Sequence, residues 1–262
     1  MRVAVLGISW IPFAALLLSC STPERRPAPS MDPPPRAVLF PSAAAPRNDS
    51  HRELERALTD AYIPWDANEV LGIVGKIAET LNVSSYSSLT RVNVAKGEYS
   101  FDCSGMADWV LCRAAPVACR SVRSAGPRPL ARDFHRAIAA VPAGRERGGW
   151  RRIARVDEAQ PGDVVAWIKP PEVPSRNSGH VAFIVRSPAP LPGYPNAYLV
   201  RVADSTSLYH DNDTREPGLT NGFGFGTILL VSDESGAPVA YGWVGTRARV
   251  FETKIAIGRA VP

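Results

Sequence analysis

Residues 101–108 read FDCSGMAD, placing a cysteine between an acidic residue and a Ser-Gly pair. The apolar spacing of residues 103–113 predicts a helix with Met106 and Val110 inward, ended by Pro116. A cysteine in the first turn of a helix meets unpaired backbone N–H groups and the positive end of the helix dipole. Both favour the thiolate, the nucleophilic form. Asp102 is the predicted N-cap, and Gly105 leaves room for an approaching substrate backbone. On these grounds alone Cys103 fits four roles: a small buried hydrophobe, half of a disulfide, a metal ligand or a nucleophile.

A nucleophilic thiolate needs a base. The chain has four histidines. His51 lies beside a Pro-rich stretch, and His135 sits on a predicted helix with arginines around it. His210 falls in the polar loop LYHDNDTREPG, which suits a substrate or surface contact. His180 follows NSG and opens the apolar run HVAFIV, so a rigid strand would hold its ring at a sheet edge. Cys112 and Cys119 have six residues between them and could close a small disulfide loop or remain two buried thiols. No Cys-x-x-Cys or His-x-x-x-His spacing is present, so neither a metal nor another cofactor is expected.

The elements that must position these residues come in two blocks. ELERALTDAY (53–62), NEVLGIVGKIAETLNV (68–83), residues 103–113 and LARDFHRAIAA (130–140) carry apolar residues at helical spacing. After Gly148 come short runs rich in β-branched and aromatic residues: DVVAWI, HVAFIV, AYLVRVAD, GTILLV and VAYGWVG. Turn signals such as QPGD, NGFGFG and DESGAP separate them. Helices first and a string of closely spaced strands second predict an α+β domain with a mainly antiparallel sheet.

The N-terminal MRVAVLGISWIPFAALLLSC has the pattern of a secretory signal, too short and wrongly flanked for a membrane span. Its end, LLSC, matches a bacterial lipoprotein box, which predicts cleavage before Cys20 and lipidation of that cysteine. Residues 21–50 hold eight of the 25 prolines and read as a linker. Thirty semi-extended residues at ~3.1 Å each could reach ~90 Å from a bilayer. The expected organisation is therefore signal peptide 1–20, linker 21–50 and a folded domain 51–262. The expected location is the bacterial cell envelope, exported and lipid-anchored, on the periplasmic face or outer membrane if the cell is Gram-negative.

Residues 113–155 hold eleven arginines against Asp133 and Glu146, a charge of +9 in a chain of +5. Such a segment suits an anionic neighbour, although a solvated Arg-rich face is the simpler reading. No nucleic-acid motif accompanies the charge, so nucleic acid is not an expected partner.

FDCSGMADWVL, AQPGDVVAWI and GHVAFIV, in that order, resemble the NlpC-type cysteine peptidases of bacterial cell walls, which have a papain-like fold. The resemblance implies Cys103 as nucleophile and His180 as general base, in the Cys-before-His order of the unpermuted branch. The family usually orients the base with His, Asn or Gln on the following strand. Here LVRVADSTS offers Asp204 first and Ser205 second, and a carboxylate can do that work. AKGEYSFDCSG places Tyr99, with Asp102 and Ser104, in the expected oxyanion and substrate region. The implied activity is hydrolysis of an amide in peptidoglycan stem peptides through a Cys103 thioester. The membrane is expected as partner through the lipid anchor, together with an unknown activating or targeting protein. The alternatives are a catalytically weak or inactive binding lipoprotein of the same fold, or an acyl-transfer enzyme acting on a lipid or small amide.

Overall fold

The computed structural model describes residues 49–261 except 217, 219, 246 and 247. The predicted signal peptide, the lipidation at Cys20 and the linker up to residue 48 lie outside the described residues. The last two positions assigned to the linker, 49 and 50, already belong to a helix.

Among the described residues, the helices are α1 (Asp49–Asp60), α2 (Glu69–Thr80), α3 (Cys103–Ala114), α4 (Pro116–Arg123) and α5 (Ala131–Ala139). The strands are β1 (Val83–Ser85), β2 (Arg91–Asn93), β3 (Glu98–Ser100), β4 (Glu146–Arg147), β5 (Trp150–Ile153), β6 (Val164–Ile168), β7 (Gly179–Ile184), β8 (Ala189–Pro190), β9 (Ala197–Thr206), β10 (Gly222–Ser232), β11 (Pro238–Trp243), β12 (Arg249–Glu252) and β13 (Ile255–Ala260). None of these helices is long and apolar enough to cross a membrane.

The chain is α+β, as its order of patterns predicts. The main sheet runs β12-β11-β10-β9-β7-β6-β13-β5-β4 with antiparallel pairing, and β8 pairs with β9. A separate small sheet, β1-β3-β2, precedes α3. Three local expectations change. Pro116 does not simply end a helix: it stands at the first position of α4, where its missing N–H costs nothing. Residues 81–83 leave α2, and Val83 pairs with Glu98 in the small sheet. The last strand, β13, inserts between β5 and β6, a long-range placement that no local pattern announces.

Both faces of the sheet are buried, so its strands carry near-continuous apolar runs rather than strict alternation. Val164, Val181, Phe183 and Ala203 pack under the helices against Met106, Val110 and Phe134. Val165, Ala182, Ile184 and Val202 form a second core with Tyr241 and Phe251 of β11 and β12. The sheet therefore curls on itself, and the Trp167 and Tyr241 rings stack at 4.5 Å although three strands separate β6 from β11.

Five of the eleven arginines of the Arg-rich segment are ion-paired: Arg123, Arg128, Arg136, Arg151 and Arg155 pair with Asp108, Asp102, Asp133, Glu146 and Asp157, and Arg113 lies over the Trp109 ring. Three of those carboxylates lie outside the segment and offset part of its excess charge; Arg120, Arg132, Arg145, Arg147 and Arg152 are exposed.

Candidate active site

Cys103 opens α3, and Asp102 caps it. One Asp102 carboxylate oxygen accepts hydrogen bonds from the Gly105 N–H at 2.7 Å and the Ser104 hydroxyl at 2.9 Å. The other accepts from Arg128 at 2.6 Å. Such a cap satisfies donors the helix leaves open and contributes about 1 kcal/mol. Asp102 and the buried Ser104 are therefore engaged with each other and with the helix start, and they support the cysteine rather than face a substrate. Gly105 also differs from expectation: a side chain there would meet Thr90 Oγ1 at 2.5 Å, so its missing Cβ admits the chain at Thr90 instead of a substrate.

Cys103 is the free cysteine of the described residues and is 7% exposed. Cys112 and Cys119 are bonded to each other and tie the last turn of α3 to α4. This settles the alternative their spacing left open.

β7 and β9 run antiparallel as neighbours, which brings the start of one beside the end of the other. His180, second in β7, meets Asp204, eighth in β9: Nε2 lies 2.6 Å from Asp204 Oδ2. With Nε2 committed to Asp204, Nδ1 is the nitrogen left for Cys103, which is close enough to act electrostatically on the ring. Next to Asp204, Ser205 donates to the Phe101 carbonyl at 2.6 Å, a buried bond that locks β9 to the residues just before Cys103. Ser205 thus fixes the distance between nucleophile strap and sheet and does not orient the imidazole. Trp167 packs its ring 4.9 Å from that of His180 and shelters it.

The electrostatics follow from this geometry. Burial works against a charged His180, but the Cys103 charge and hydrogen bonds to Asp204 and Cys103 outweigh it and push the ring up to about 10. Burial alone would raise Asp204; His210, Arg215 and hydrogen bonds from both imidazoles hold it well below the usual carboxylate range. The pair rests as imidazolium and carboxylate at neutral pH.

Two residues near Cys103 depart from the expected pattern. Tyr99 is a core residue: it is buried, its hydroxyl bonds Thr80 Oγ1 at 2.6 Å, and its ring packs on Phe101 and Trp109. It does not line the cysteine's surroundings. Tyr86 does, and its phenol is held protonated first by burial and then by the negative charges of Cys103, Asp102 and Asp204. The Tyr86 backbone N–H is fixed by Asn221 Oδ1 at 2.7 Å. A lone aromatic inside the polar run SSYSS was the sequence signal for it, since nothing around it suggests a core strand.

His210 is likewise not a surface contact. Its side chain is 4% exposed, and its Nε2 lies 2.7 Å from the same Asp204 Oδ2. Arg215 donates to Asp204 Oδ1 at 2.8 Å and pairs with Asp213. The donor atoms of His180, Asp204 and His210 lie within 4.8 Å of one another, close enough for a cation. With the guanidinium of Arg215 already on the carboxylate and both imidazoles at hydrogen-bond distance, the group reads as a hydrogen-bonded relay. In the second such group, Asp108 with Cys112 and Cys119, both sulfurs are consumed by the disulfide. His51 and His135 lie away from this cluster: His51 bonds the Pro192 carbonyl, and His135 is pushed down by burial and then by Lys254 and Arg152.

Comparison of the chain with protein-family models, with curated proteins and with solved structures finds no match.

Proposed function

We propose that this protein is a cysteine hydrolase of the NlpC type, with a papain-like arrangement, that cleaves an amide bond in peptidoglycan stem peptides. The observation that carries the reading is the chain of contacts from Cys103 at a helix start to His180 and on to buried Asp204. A cysteine-bearing helix packed on an antiparallel sheet that supplies base and orienter from adjacent strands supports it further.

The chemistry runs as acyl transfer. The Cys103 thiolate attacks the amide carbonyl carbon, and the C–N bond breaks as the His180 imidazolium gives its proton to the leaving amine. The Cys103 backbone N–H and the Tyr86 hydroxyl donate to the developing oxyanion. Asp204 keeps Nε2 occupied so that Nδ1 remains on the cysteine side. His180, now neutral, takes a proton from water as that water attacks the thioester, and the acid product leaves with the thiolate restored. The export signal and lipoprotein box read from the sequence agree with a cell-wall substrate reached from a membrane anchor.

The test is to incubate the full-length protein with purified peptidoglycan and separate the released muropeptides, with Cys103→Ala as control. New products from the wild type alone are expected. Absence of products from the wild type sinks the reading, and equal products from both proteins sink Cys103 as nucleophile.

A further inference from the structure

β10 begins GFGFG, and its alternate glycines form a trough along one side of the strand. Gly224 stands opposite Asp204 in the β9–β10 register. A Cβ on Gly224 would lie 2.8 Å from Arg215, and one on Gly226 would lie 2.4 Å from His210. The trough is therefore filled by two side chains of one loop, residues 207–216. That loop is pinned to β10 through backbone bonds between Asp211 and Thr227 and between Thr214 and Phe225. Arg215 adds a bond to the Gly222 carbonyl at 2.9 Å.

Both side chains converge on Asp204. His210 reaches Oδ2 at 2.7 Å and Arg215 reaches Oδ1 at 2.8 Å, while His180 holds Oδ2 from the cysteine side. His210 is also held from behind. The Trp243 indole N–H, which can only donate, lies 3.2 Å from His210 Nδ1. Nδ1 accepts from that indole, and Nε2 meets Asp204, so His210 bridges Trp243 and Asp204 through its two ring nitrogens.

We propose that His210 and Arg215 are positioning residues for the reaction of Cys103. Seated in the glycine trough, they hold the Asp204 carboxylate in the one orientation that turns His180 toward the cysteine, His210 as a hydrogen bridge anchored at both ring nitrogens. This inference rests on the reading of Cys103 and His180 as nucleophile and base.

The test uses iodoacetamide alkylation of Cys103 in the full-length protein as a function of pH, with no substrate turnover required. Wild-type Cys103 is expected to react faster than free cysteine under the same conditions at pH 6. His210→Phe removes both ends of the bridge and should lower that rate by at least about ten-fold. His210→Gln should stay within about two-fold of wild type, because a side-chain amide also offers one donor and one acceptor. Trp243→Phe, at a partly exposed site, removes the donor that holds His210 Nδ1 and should lower the same rate by at least about three-fold, which keeps the question answerable if His210→Phe does not fold. Wild-type rates from His210→Phe, a loss in His210→Gln as large as in His210→Phe, or wild-type rates from Trp243→Phe each overturn the inference. A wild type whose Cys103 reacts like an ordinary thiol overturns the underlying reading of the site itself.

Discussion

His180 Nε2 and Asp204 Oδ2 stand 2.6 Å apart across two neighbouring antiparallel strands, and the Asp204 side chain is fully buried. Twenty-four residues separate them in sequence, and the β7–β9 pairing removes that separation. Replacing Asp204 with Asn keeps the size but offers His180 Nε2 a donor as readily as an acceptor. Turnover should fall by about 10³–10⁴-fold if the wrong imidazole tautomer follows, as in other nucleophile–His–Asp sites. Steady-state rates on purified peptidoglycan check this, and activity within ten-fold of wild type would remove Asp204 from the site.

The charge on His180 depends on its neighbour. Among the influences that raise it, the Cys103 charge comes first, and the sum lifts the ring to about 10. Cys103→Ala should therefore lower the His180 pKa, read from imidazole NMR. The sign for stability follows from a folded value above the ordinary ~6.5. The stabilisation from charged His180 is complete below about pH 6.5 and is lost as pH rises toward 10. Urea unfolding at pH 6.5 and pH 10 should show a smaller decline in Cys103→Ala than in wild type.

Tyr86→Phe separates transition-state help from nucleophile reactivity. The phenol, kept protonated by burial and by nearby carboxylate and thiolate charges, is a donor for an oxyanion. Its loss should cost about 10²–10³-fold in kcat. Alkylation of Cys103 by iodoacetamide develops no oxyanion and should keep its rate within about two-fold. Equal losses in both assays would make Tyr86 a structural residue only. Tyr99→Phe, by contrast, removes the bond to Thr80 and should lower stability by about 1 kcal/mol with little change in kcat.

The disulfide closes a loop of Cys112 to Cys119, seven residues apart in sequence. A loop so short restricts the unfolded chain by about 2–2.5 kcal/mol at 25 °C. The double variant Cys112→Ala, Cys119→Ala should lose that much in denaturant unfolding. Mass spectrometry of the non-reduced, denatured protein after iodoacetamide should find label on Cys103 and none on Cys112 or Cys119.

Much of the framework was legible in the residues because it is local. An acidic cap, a cysteine and an amphipathic run specify where α3 starts and which turn holds Cys103, since capping and helical spacing involve only near neighbours. Apolar runs between turn signals likewise place β6, β7, β9, β10 and β11. Tyr99 and Gly105 show the limit. Both residue types suit an oxyanion region or an open approach, but Thr80 of α2 holds the Tyr99 hydroxyl and Thr90 occupies the space beside Gly105, and those neighbours come from elsewhere in the fold.

The sequence by itself determined the residue types, the order of the motifs and the local elements that carry Cys103 and His180. Tertiary structure decided which partners surround them. Tyr86 comes within electrostatic range of the cysteine from the small-sheet region, Arg215 meets Asp204 across eleven residues, and Trp243 bonds His210 across thirty-three. The physical reason is that helical and strand periodicity states which face of an element is buried, whereas sheet register and curl state what that face meets. The GFGFG trough joins the two levels: its alternation is written in the sequence, and only the loop folded into it shows what the missing side chains make room for.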